Sequence, residues 1–69
     1  MIDWPSLIKY LRKQMMLSQT EMAEKLDVAF GTLNRWENNH FEPNYKIQRI
    51  IKKLCIKYGV DIDNFRKEQ

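Results

Sequence analysis

The stretch Leu17-Ser18-Gln19-Thr20-Glu21-Met22 constrains this chain more than any other. The Ser18 hydroxyl can accept from the backbone N–H of Glu21. The Glu21 carboxylate can reach back to the N–H of Ser18, which closes a capping box. Leu17 and Met22 flank it at the two positions of a hydrophobic staple. A helix must therefore begin at residue 19, and Met22, Ala23 and Leu26 give it an apolar stripe that ends near residue 26. Two turns of helix are not stable alone in water. This segment has to be held by neighbours, so the chain is a packed set of short helices.

The neighbours are legible from their spacing. Leu7, Ile8, Leu11 and Met15 recur at helical intervals. Asp3 is placed to cap that helix and Pro5 falls in its first turn, which predicts a helix near 4–16. A third helix is expected over 30–38. A fourth, near 45–58, starts at Asn44 and carries Ile47, Ile50, Ile51, Leu54 and Tyr58 on one stripe, with Cys55 at its border. Gly59 follows where a left-handed residue is wanted. A fifth, near 62–67, starts at Asp61, with Val60 and Phe65 at staple positions. Asn39-His40-Phe41-Glu42-Pro43 reads as a loop. With 69 residues, two glycines and two prolines, the expectation is a single all-α domain spanning 1–69, with five helices around one core.

Several function classes drop out. One cysteine, Cys55, cannot form an internal disulfide and suits a reducing cytoplasm. Zinc needs several Cys or His ligands, and the chain has only Cys55 and His40, so neither a metal nor another cofactor is expected. No apolar run approaches the ~20 residues of a membrane span. A single histidine, with no glycine-rich phosphate loop and no nucleophile–base constellation, argues against an enzyme. The net charge of +3 is a weak signal until its location is known.

The third helix gives that location meaning. On a wheel of 100° per residue, Leu33 and Trp36 point one way, while Phe30, Gly31, Asn34, Arg35 and Asn38 share the opposite arc. Two short helices joined by a tight turn, the second with a mostly polar outward face, describe a helix-turn-helix. The residues Leu11-Arg12, Leu17 through Ala23, Leu26, Val28, Thr32 through Asn38 and Pro43 resemble the phage-repressor and Cro-like regulators, the XRE family, over roughly residues 7–60.

That resemblance implies a lambda-repressor-like fold and a regulator, a repressor in the main, that binds double-stranded DNA as a homodimer with helix 30–38 in the major groove. It assigns Phe30, Gly31, Thr32, Asn34 and Arg35 to base edges or the adjoining backbone. It assigns Gln19, with Ser18 beside it, and the amides of Asn38 and Asn39 to phosphates. It also makes Arg12 and Glu37 a structural pair. The chemistry suits these roles: Arg35 can donate twice to guanine, Asn34 can pair with the N6 and N7 of adenine, and Phe30 or the Thr32 methyl can touch a thymine methyl. Ala29 departs from the Ser or Thr that usually caps the recognition helix, Asp27 from a common glycine, and Phe30-Gly31 from polar reading residues. These departures shift weight toward shape and backbone contacts.

Lys46, Arg49, Lys52, Lys53 and Lys57 crowd the fourth helix, with no acid between Asn44 and Val60. Most of that face reads as solvated, and Lys46, nearest the loop, is the phosphate candidate. A competing reading keeps the same core as a protein-interaction adaptor or antitoxin-type module, with Phe30, Phe41 and Tyr45 as its apolar patch and a protein as its partner.

Overall fold

The chain, seen in a computed structural model that describes residues 1–38 and 42–67, folds into four α-helices and one short 3-10 helix. Helix α1 spans Trp4–Gln14, α2 Gln19–Leu26, α3 Phe30–Glu37 and α4 Tyr45–Lys57. The fifth segment is a 3-10 helix, Ile62–Phe65, in place of the expected α-helix over 62–67. Asp61 caps it by accepting from the Asp63 N–H at 3.0 Å, and four residues are too few to continue past that single turn. No strand forms among the described residues. Ile2 and Arg66 make one isolated antiparallel bridge.

Each start follows from its cap. Asp3 Oδ1 accepts from the Ser6 N–H, and Asn44 Oδ1 from the Ile47 N–H. At α2 the full capping box is present: Glu21 N–H donates to Ser18 Oγ at 3.1 Å and Ser18 N–H to Glu21 Oε1 at 2.9 Å. The Ser18 backbone N–H, and after it the Ser18 hydroxyl, hold the Glu21 carboxyl below the usual carboxylate range. Only α3 begins without a side-chain cap, because Ala29 has no oxygen to offer.

Helices α1, α2 and α4 end alike. Met16, Asp27 and Gly59 take the left-handed conformation, with φ of 59°, 57° and 71°. The following residue then donates back into the helix: Leu17 to the Arg12 carbonyl, Val28 to Ala23 and Val60 to Cys55. This closure stops α1 two residues short of its expected end at 16.

The core gathers Trp4, Leu7, Ile8 and Leu11 of α1, Met22, Ala23 and Leu26 of α2, Leu33 and Trp36 of α3, and Ile47, Ile51 and Cys55 of α4. The buried line of α4 runs through Ile47, Ile51 and Cys55. Ile50 and Leu54 are half-buried against the core, as their spacing predicts, while Tyr58 is exposed and Cys55, at the expected border, is fully buried. Burial pushes the Cys55 thiol up to about 11. The 3-10 helix lies on α1, with the Phe65 and Tyr10 rings 5.4 Å apart. It also brings the ends of the described chain together: Asp3 N–H donates to the Phe65 carbonyl and Lys67 N–H to Met1, each at 2.7 Å. No described helix is long and apolar enough to cross a membrane.

Candidate nucleic-acid interface

Helices α2 and α3 are joined by three residues, Asp27, Val28 and Ala29. The left-handed Asp27 turns the chain at the end of α2, and Val28 tucks against the core. Leu33 and Trp36 anchor α3 from beneath. The opposite side is open: Phe30 is 50% exposed, and Gly31, Arg35 and Asn38 are exposed with it. Thr32 lies with Trp36 in a depression of about 430 Å³ between the turn and α4, whose wall also holds Lys25, Asn44 and Lys46. Thr32 thus lies at the edge of the open arc, next to Arg35 by helical angle, on the side of Lys25 and Lys46. Lys25, in the last turn of α2, was not singled out by the sequence, since one lysine ending a helix looks like any other.

Arg12 and Glu37 meet across α1 and α3. Arg12 Nε donates to Glu37 Oε2 at 2.9 Å and Nη2 to Oε1 at 3.2 Å, while Nη1 caps the Leu17 carbonyl at 3.1 Å. The Glu37 side chain is only 2% exposed. A buried carboxylate can only accept hydrogen bonds, and Gln19 supplies a third: its Nε2 reaches Glu37 Oε1 at 3.1 Å. The same Nε2 reaches Asn34 Oδ1 at 3.4 Å. Asn38 Nδ2 closes the set, donating to the Asn34 backbone carbonyl at 2.8 Å and to Asn34 Oδ1 at 3.1 Å.

This polar network joins five residues from three helices and the end of α3, and sequence reasoning found only its first link. It changes what the phosphate candidates present. The side-chain nitrogens of Gln19 and Asn38 each lie within hydrogen-bond reach of two acceptors inside the protein, which compete with a phosphate for their hydrogens. Ser18 uses its backbone N–H and one hydroxyl lone pair in its capping box. Lys46 is exposed. Asn39, with His40 and Phe41, lies outside the described residues. Phe30 and Tyr45, two members of the expected apolar patch, are exposed on α3 and α4.

What the arrangement can do is set by shape and by chemistry. An eight-residue helix is about 12 Å long, comparable to the major groove of B-DNA, which is about 12 Å wide and admits an α-helix. Arg35 carries a planar fork of donors on the open face, suited to two acceptors on one base edge. Among the described residues, no cluster of three or more His, Cys, Asp or Glu could hold a metal.

Comparison with known proteins agrees with this geometry. No curated protein and no solved structure matches the chain. A family model described as helix-turn-helix matches residues 8–65, from the middle of α1 to the end of the 3-10 helix. The chain belongs to the XRE and Cro-like helix-turn-helix family of DNA-binding transcription regulators.

Proposed function

We propose that this protein binds double-stranded DNA in a sequence-specific manner by laying α3 in the major groove, and that it does so as a homodimer on a two-fold-related site. The observation that carries this reading is the division of α3 itself: Leu33 and Trp36 sunk in the core, Phe30, Gly31 and Arg35 open on the other side. Arg35 reads a guanine edge. Lys25 and Lys46, flanking the depression beside the turn, meet the adjoining phosphates. One helix this short reads only a few base pairs, so two half-sites about one helical turn apart supply the remaining affinity and specificity. Occupancy of the duplex alone is enough to block transcription, and on this reading the protein acts as a repressor.

Selection from randomised duplexes at two salt concentrations tests the reading. Expected are two-fold-related sites spaced by about 10 base pairs, and an affinity that falls with salt by a logarithmic slope of about −0.9 per phosphate neutralised. Arg35→Ala should relax the preference at one base pair of each half-site by roughly 10-fold or more. Binding that ignores salt, or an Arg35→Ala variant with an unchanged site preference, overturns it.

A further inference from the structure

The buried carboxylate of Glu37 determines more than the packing of α1 on α3. It accepts from Arg12 Nε and Nη2 and from Gln19 Nε2. An accept-only group cannot tolerate the carbonyl of Gln19 turned toward it, so the orientation of the Gln19 amide is fixed, nitrogen inward. The second hydrogen of that nitrogen then faces Asn34, which must answer with its carbonyl; the bond is 3.4 Å long. Asn38 reinforces the choice by donating to the same Asn34 Oδ1 at 3.1 Å. That oxygen therefore faces two donors, Asn38 at 3.1 Å and Gln19 at the long limit of 3.4 Å. Asn34 Nδ2 donates to nothing among the described residues, and Asn34 is half-buried beside the open face of α3.

From this we infer that Glu37 sets the reading specificity of α3 through Gln19: it polarises the chain of amides so that Asn34 offers a base donors only. Adenine needs a donor and an acceptor together, to its N7 and N6, and the acceptor is already engaged. Guanine presents two acceptors, N7 and O6. At the base pair that Asn34 meets, guanine is therefore favoured over adenine by about 10-fold, the size of a good direct contact. Glu37 and Gln19 are positioning residues for this choice and touch no base. The inference rests on α3 entering the major groove, and it replaces the adenine pairing that asparagine ordinarily suggests.

Two measurements test it separately. In the free protein, side-chain amide hydrogen exchange by NMR should show both Gln19 hydrogens protected and the Asn34 pair exchanging freely. Gln19 hydrogens that exchange as in an unstructured peptide overturn the inference whether or not DNA binds. On the selected duplex, single base-pair changes should give guanine about 10-fold over adenine at one position. That preference should vanish in Asn34→Ala and in Asn38→Ala drop several-fold, because removing Asn38 frees a lone pair for adenine while leaving the fold intact. A wild-type preference for adenine at the position that Asn34→Ala relaxes overturns the inference while the groove placement of α3 stands. So does an Asn34→Ala variant with an unaltered site. A wild-type protein that binds no duplex overturns the groove placement itself, and this specificity with it.

Discussion

Two residues sit where an ordinary helical protein would choose differently. Gly31 lies in the first turn of α3, where glycine lowers helix stability relative to alanine by up to ~1 kcal/mol. A Cβ built there would meet nothing within 4 Å, so packing inside the protein does not call for it. A bare backbone on the face proposed to enter DNA lets that strand of the duplex come close. Gly31→Ala should therefore raise the urea midpoint, by about 0.5 kcal/mol of stability, and weaken duplex binding in the same protein. Stability and affinity rising together would show that the glycine has no contact to make. Met16 presents the converse case. It adopts φ 59° at the end of α1 and is 89% exposed, so the left-handed strain there is not offset by burial of its side chain. Met16→Gly should stabilise the fold by about 1 kcal/mol, read as a higher urea midpoint with an unchanged slope. Nothing in the sequence marked Met16 as left-handed, because methionine follows Met15 in an apolar pattern that continues the helix on paper. The bond from Leu17 to Arg12 that closes the helix is a backbone event, invisible in side-chain spacing.

Among the elements, those with strong local chemistry were legible and those fixed by distant contacts were not. The capping box placed α2 to the residue, and Asn44 placed the start of α4, since each cap acts within three residues of itself. Along α4, Ile47, Ile50, Ile51 and Leu54 meet the core as their spacing requires, whereas Tyr58 stays exposed and Cys55 is fully buried, because apolar spacing alone does not say where the edges of the stripe fall. The pairing of Arg12 with Glu37 came from the family resemblance, whereas the extension through Gln19 and Asn34 needed coordinates, as it joins residues 15 and 18 positions apart. That network locks α2 and α3 together as one body, and its energetics are testable as a unit. Removing the guanidinium alone, Arg12→Leu, leaves a carboxylate that is 2% exposed with Gln19 as its remaining partner. The expected loss is about 3 kcal/mol, at the low end for breaking a buried pair because Arg12 keeps some exposure. Replacing both, Arg12→Met with Glu37→Leu, should recover most of that loss in urea denaturation, since neither charge is then desolvated. A double variant as unstable as the single one would mean that the pair is held by something other than its own charge balance.

At the scale of the whole molecule, twelve lysines and arginines against nine acidic residues give a net charge too small to locate a partner, so position has to decide. Two of the depressions that α4 borders share no lining residue. Lys46 opens onto one, with Lys25, Asp27 and Thr32 beside the turn and α3; Lys52 opens onto the other, with Ile2, Val60, Ile62 and Arg66 near the clasped ends of the chain. The molecule measures 30 × 26 × 19 Å, two to three times the ~10 Å over which charge is screened at 0.1 M salt. Lys46 shares its depression with Thr32 and Trp36 of α3, whereas the one that Lys52 lines holds no α3 residue, so the two cations are not equivalent toward a ligand bound at α3. Lys46→Ala should reduce the salt slope of duplex binding by about 0.9, the value for one lost phosphate contact, and weaken all sequences alike, because phosphates carry no base information. Lys52→Ala should leave the slope where it was. Titrations of one selected duplex across 50–200 mM salt compare the two directly. Equal losses from both would mean that DNA is drawn to the cationic side of α4 as a whole, with α3 a bystander, and the division of that helix into an anchored and an open face would then have to serve some other partner.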